Sequence, residues 1–337
     1  MTRWITLLAV TLAAHAQTLP QYVPGPSVAA TIRIWGHGAL GHDYIETLVR
    51  HWEEGFHKYQ PAVVFDNRLA GTASAIGALY AGTGDLALLG REIWPSETAA
   101  FQEALKHPPL EVEIVTGSYD VRNKDFALIV YVHKDNPIAH LSLAQVDAIF
   151  GCEHRRGPRN IRTWGELGLK GSWADRPIRV YGFEISRGFG YFLQQAVFAG
   201  SFKWNPGLLE FADQKQSNGT LMDAGKRILD ALANDPLGIA YSSALYANPD
   251  VKPLALAVDD GGPYVEPCKE TVQNRTYPLT RVISMFLNRT PGQSVDPKVR
   301  EFLRYILSNQ GQAAVVQDGD YLPLTARVIQ EQMKKLD

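Results

Sequence analysis

Three short stretches combine small residues with hydroxyls or a cation in a pattern that suits an anion. They are G-H-G-A-L-G at 36–41, G-T-A-S at 71–74 and S-R-G-F-G at 186–190. Each separates an apolar run that reads as a strand from a periodic run that reads as a helix. A helix start leaves its first backbone N–H groups unpaired and carries the positive end of the helix dipole. Small residues let an anion approach those amides, and hydroxyls add donors. The same composition opens ordinary helices, so a single loop of this kind carries little weight. Three on one chain carry more, because two facing lobes can bring them together. Arg91 and Arg187 are the cations placed to complement such a cradle, or else they are solvated surface arginines. Asp85, directly after G-T-G, reads as a turn cap or as an acceptor for a protonated oxyanion.

Other chemistries find less support. His37, His42 and Asp43 cluster near the first loop, but a spacing of five does not put both imidazoles on one helical face, and no third metal ligand is evident. A serine nucleophile needs a strained elbow such as G-x-S-x-G with a base and an orienting group. Ser186 lies in I-S-R-G and Ser74 in T-A-S-A, so neither fits. The His154–Arg155–Arg156 cluster reads as a solvated loop or a docking patch. No catalytic residue, metal or cofactor is expected.

The surrounding pattern supplies the elements that must hold these loops. A strand at 31–35 leads to a helix over 43–58, whose apolar positions Ile45, Leu48, Val49, Trp52 and Phe56 recur at helical spacing. A strand at 63–67, a helix over 75–81 and a strand from Asp85 follow. Ala-Leu-Ile-Val-Tyr-Val-His at 127–133 is a buried strand, followed by a helix over 143–150. A strand at 177–183 delivers the third loop and a helix over 189–198. Beyond lie a helix over 221–234, a strand at L-G-I-A-Y, a long strand over 277–287 and a helix over 299–308. Alternating strand, glycine-bearing loop and helix indicates α/β architecture with parallel strands.

The 337 residues exceed one small core and suit two lobes. Composition is that of a globular chain, at 45% hydrophobic and 20% charged. A formal net charge of −2 without a basic block argues against a nucleic-acid scaffold. At the N-terminus, Arg3 precedes a short apolar run and the small-x-small site Ala14-His15-Ala16, the pattern of a cleaved secretory signal over residues 1–16. No cysteine follows that run, so no lipid anchor is expected. Cys152 and Cys268 could pair in an oxidising compartment or remain two buried thiols.

In order along the chain, V-V-F-D-N-R-L-A-G-T-A-S-A-I-G-A-L, G-T-G-D-L-A-L-L-G-R-E, V-D-A-I-F-G with T-W-G-E-L-G, N-D-P-L-G-I-A-Y-S, Y-P-L-T-R and the C-terminal V-R-E-F-L-R-Y-I-L-S-N-Q-G-Q-A-A-V-V-Q-D-G-D-Y-L-P-L resemble the blocks of the phosphate-binding periplasmic proteins of ABC importers, the PstS-like group. The likeness covers nearly the whole mature chain. It implies a two-lobed α/β fold of periplasmic-binding-protein type II, each lobe a mixed sheet flanked by helices and joined to the other by two crossing strands. Residues 17–125 and 259–337 would form one lobe and 126–258 the other. It further implies an exported, periplasmic or secreted monomer that captures an inorganic oxyanion, phosphate first, and passes it to an ABC permease in the inner membrane.

Carried over position by position, the resemblance puts Thr72 on a phosphate-contacting serine and Ser186 on the serine of S-G-T. Arg187 and Gly188 replace the remaining Gly and Thr of that motif. Gly90 stands where the family has Ser or Asp, and Arg91 matches. In the first loop only the amides of Ala39 and Leu40 remain as contacts. The implied ligand set is therefore Ala39, Leu40, Thr72, Gly90, Arg91, Ser186, Arg187 and Gly188, with S-R-G in place of S-G-T as the main departure.

Overall fold

A computed structural model describes residues 19–39 and 42–337. The expected signal segment and Leu40 lie outside these residues. One five-stranded sheet has the order β2 (Val64–Arg68), β1 (Thr31–Gly36), β3 (Leu86–Leu89), β14 (Val282–Leu287), β4 (Leu110–Thr116). A second has the order β12 (Val251–Pro253), β5 (Ile129–His133), β11 (Gly238–Ser242), β7 (Arg179–Phe183), β8 (Leu208–Phe211). Two small two-stranded sheets join β9 (Gln214–Lys215) to β10 (Leu221–Met222) and β6 (His140–Ser142) to β13 (Ala255–Ala257).

The sheets are mixed, as the resemblance implies, and for the same topological reason in each. In the first, β1 runs parallel to β2 and β3, while β14 returns from the far end of the chain antiparallel to β3 and β4. In the second, β7 is parallel to β11 and β8, while β5 is antiparallel to β11 and β12. The parallel strands expected from alternation are present in the β1–β2, β1–β3, β7–β11 and β7–β8 pairs, and the antiparallel pairs make each sheet mixed. A strand that arrives by crossing between the sheets enters from the opposite end to one delivered by a helical crossover.

Helices cover the sheets where their apolar stripes predict. In α1 (Glu46–His57), Leu48, Val49, Trp52 and Phe56 are all buried, and Asp43 Oδ1 accepts from the Thr47 amide at 3.2 Å. The first core joins these residues to Ile32, Ile34 and the apolar face of α8 (Pro297–Ile306). The second core packs β5, β7 and β11 against α4 (Leu143–Phe150), α5 (Gly188–Val197) and α6 (Ala224–Ala233), and it takes in Val272, Tyr277 and Leu279. Further helices are α2 (Ala75–Tyr80), α3 (Pro95–Leu105), α7 (Lys269–Gln273), α9 (Asn309–Asp318) and α10 (Ala326–Met333). Expected helix 221–234 begins instead with the short β10, and the expected strand 277–287 is extended only from Val282, because Tyr277–Arg281 is turn and irregular backbone.

Two segments connect the sheets. Leu128 N donates to Leu279 O at 3.1 Å and Gly117 N to Arg281 O at 2.8 Å, while Ser118 N donates to Asp125 O at 3.0 Å. Residues 117–128 and 279–281 thus run side by side between the lobes. Asp125 and Arg281 are carried on that junction.

Candidate functional site

A cleft of about 400 Å³ opens between elements of the two sheets. From the first side come Tyr44 and Arg91; from the junction, Asp125 and Arg281; from the second, Arg187, Gly188 and three phenylalanines, Phe183, Phe189 and Phe211. A cavity of about 450 Å³, lined by His51 of α1, by Lys58 and Tyr59 just past its end and by Gln310 of α9, takes no residue from the three loops.

Of the residues singled out from sequence, the structure gathers Arg91, Arg187 and Gly188 at this cleft. Arg91 follows β3 and Gly90 and is held tightly: its Nη1 and Nη2 meet the two oxygens of Glu97 at 2.8 and 2.7 Å, and its guanidinium lies 4.2 Å from the centre of the Trp94 ring. Glu97 also accepts from the Trp94 amide at 2.8 Å, so it fixes the start of α3 and the arginine together. Arg187 occupies the N-cap position of α5, with its side chain 75% exposed and a single contact, Nε to Glu184 Oε2 at 3.2 Å. Gly188 is the first residue of that helix. Close to it, Gly190 is required on steric grounds, since an added Cβ would stand 2.8 Å from Glu184 O.

The other candidates lie elsewhere. Ser186 Oγ donates to Glu184 Oε1 at 3.0 Å, and Ala39 forms an isolated bridge with His42. Thr72 opens the short turn before α2, and Thr72 Oγ1 is 3.5 Å from His37 Nδ1. Gly90 packs on the same imidazole: an added Cβ would meet His37 Cε1 at 2.1 Å. Thr72 and Gly90 therefore converge, but on His37 rather than on the cleft. Asp85 neither caps a turn nor lines the cleft. It binds Arg33 at 2.8 Å and Lys298 at 3.0 Å, tying β1 to α8.

Sequence reading missed the buried charges behind the cleft. His37 Nε2 lies 2.9 Å from Asp125 Oδ2. Arg281, with a side chain only 1% exposed, sits 3.4 Å from Asp125 Oδ1 and 3.2 Å from Glu92 Oε2. The Tyr321 hydroxyl is 3.3 Å from Asp125 Oδ2 and 3.1 Å from Tyr44 O. Burial pushes the Asp125 carboxyl up, but the His37 imidazole and the Arg281 guanidinium outweigh it and hold the group below its ordinary range. Burial pushes the Tyr321 phenol well up, with Asp125 adding to it. Arg281 was visible as the last residue of Y-P-L-T-R, whereas nothing local marks Asp125.

The charges lining the cleft balance, and the carboxylates behind them tip its surroundings negative. Arg91, Arg187 and Arg281 line it together with Asp125, Glu184 and Asp213, and Glu92 and Glu97 stand behind two of the arginines. Among the described residues no group of three or more His, Cys, Asp or Glu is placed to hold a metal ion. His37 is committed to Asp125, and His42 is exposed. Cys152 and Cys268 are unpaired, as the second of the two alternatives had it, but exposed rather than buried. Among the described residues no helix is long and apolar enough to cross a membrane.

A family profile for the PBP superfamily domain matches residues 38–310. The phosphate-binding protein PstS of Pseudomonas aeruginosa is 32% identical over 330 residues, 97% of this chain and 94% of that protein. PstS of Staphylococcus haemolyticus is 22% identical over 88% of this chain and 83% of its own length. Among solved structures, PstS from Borrelia burgdorferi superposes with a TM-score of 0.57 at 15% identity, covering 88% of this chain and 99% of that one. An ABC-type phosphate transport receptor from Vibrio cholerae gives 0.53 at 16% identity, covering 86% and 99%. These structural likenesses bear on the fold.

Proposed function

Because the chain belongs to the PBP superfamily, and within it to the PstS phosphate-binding proteins, we propose that it is an exported solute-binding protein that captures an oxyanion, phosphate first, between its lobes and delivers it to an ABC permease. The observation that carries this reading is the meeting of Arg91, Arg187 and the start of α5 at one cleft between the two sheets. A guanidinium offers a planar fork of donors matched to an oxyanion, and the first amides of α5 add dipoles of the right sign. No bond needs to be made or broken, and the relatives are named as binding proteins rather than enzymes.

Delivery to a permease requires export, so the proposal includes cleavage after residue 16 and a periplasmic or secreted, monomeric product. It also includes a hinge between lobes made of 17–125 with the return segment and of 126–258. The resemblance starts the return segment at residue 259. Because Val272, Tyr277 and Leu279 still pack in the second core, the proposed crossing falls near Thr280–Arg281.

Isothermal titration of the mature chain with phosphate, arsenate and sulfate tests the proposal. Binding of at least one below millimolar concentration is expected, weakened by Arg91→Ala. Failure of all three, and of an organic oxyanion as well, to bind at millimolar concentration would sink the reading.

A further inference from the structure

The cleft is far larger than a tetrahedral oxyanion, and its second wall is aromatic. Its volume of about 400 Å³ falls in the range of pockets for small organic ligands. Phe183, Phe189 and Phe211 line that wall. Phe189 is fixed between Phe126, stacked at 4.2 Å, and Phe183, at 4.9 Å, and it lies 5.1 Å from the Arg281 guanidinium. It is a rigid apolar surface at the very start of α5.

Such a wall does nothing for bare phosphate. An aromatic face is the negative end of a quadrupole, and a desolvated dianion beside it lacks the hydrogen bonds that would offset its lost hydration. The hydroxyls that could have served are engaged elsewhere, Ser186 on Glu184 and Thr72 beside His37, and neither lines the cleft. Arg91 and Arg281 are already matched by Glu97, Glu92 and Asp125. That leaves Arg187, exposed and loosely held, as the cation with most freedom to turn onto a ligand.

We propose that the oxyanion taken by this cleft is organic: a phosphonate or phosphate monoester whose oxygens meet Arg187 and the first amides of α5 while its aryl or alkyl group lies against Phe183, Phe189 and Phe211. The charged head alone binds weakly, because Arg91 and Arg281 are neutralised by carboxylates and Arg187 alone is left to meet it. The apolar body supplies the remaining affinity by leaving water for the aromatic wall. This inference rests on the oxyanion-capture reading and narrows its ligand.

The experiment compares inorganic phosphate with phenylphosphonate, which cannot be hydrolysed, by isothermal titration of the mature chain at one pH and salt concentration. Phenylphosphonate is expected to bind at least about tenfold more tightly. Phe211→Ala, on an edge strand, is expected to shrink that ratio to about threefold or less, and Phe189→Leu to shrink it less, with thermal melts confirming that both variants are folded. Phosphate binding as tightly as phenylphosphonate would overturn the organic ligand and leave oxyanion capture standing. A ratio unchanged in folded Phe211→Ala and Phe189→Leu would overturn the aromatic wall as its cause. If neither ligand binds at millimolar concentration, the capture reading falls and this inference with it.

Discussion

Arg281 shows how one side chain can serve stability at the floor of the proposed binding cleft. Its guanidinium is buried against Glu92 and Asp125, with Phe189 and Phe192 each 5.1 Å away. Removing it leaves Asp125 facing only His37 and Tyr321. Arg281→Met is therefore expected to cost about 3–5 kcal/mol, read as a lower midpoint in urea unfolding. Asp125 itself sets an acid limit. Its folded-state pKa lies below the unfolded value, so the stability it contributes is present above that value, near pH 4, and is lost as pH falls through the folded pKa. Urea midpoints between pH 3 and pH 6 should drop at the acid end in the wild type and drop less in Asp125→Asn. Gly90 is constrained by space rather than by backbone angles. Gly90→Ala would push into the His37 ring and is expected to cost about 1–3 kcal/mol while moving the imidazole off Asp125, seen as changed chemical shifts of the His37 ring protons.

At the scale of elements, the start of α3 couples helix capping to charge at the cleft. Glu97 accepts from the Trp94 amide and also neutralises Arg91 with two contacts. A glutamine at that position keeps the cap, because its amide oxygen can still accept, but removes the charge that holds Arg91. Glu97→Gln is expected to raise oxyanion affinity several-fold with a loss of no more than about 1 kcal/mol in stability. Unchanged affinity would mean that Arg91 does not reach the ligand. The start of α5 works differently: its Arg187 is held by one exposed contact, so its charge is available without any such release.

Across the whole molecule, the two sheets are joined by residues 117–128 and 279–281, and the cleft opens at that junction. Two lobes joined by a pair of short segments can close as rigid bodies by small backbone rotations there. Small-angle X-ray scattering is expected to show a lower radius of gyration with saturating ligand than without, and the change should vanish in a variant that does not bind. An unchanged radius with bound ligand would mean that the cleft is already closed.

How much of this was legible beforehand depended on how local each feature is. The sequence by itself determined the fold class, most of its helices and strands, and the loops near the cleft, because periodicity, helix starts and strand ends are written in neighbouring residues. It marked Arg91, Arg187 and Gly188, which meet at the cleft. The tertiary structure decided which candidates turn away, as with Thr72 and Gly90 at His37 and Ser186 at Glu184. Only the structure could join His37, Asp125 and Arg281, far apart in the chain and brought together where the crossing segments meet. Sequence spacing carries no trace of such contacts, since a charge buried by a crossing strand is balanced by whatever the opposing elements present to it.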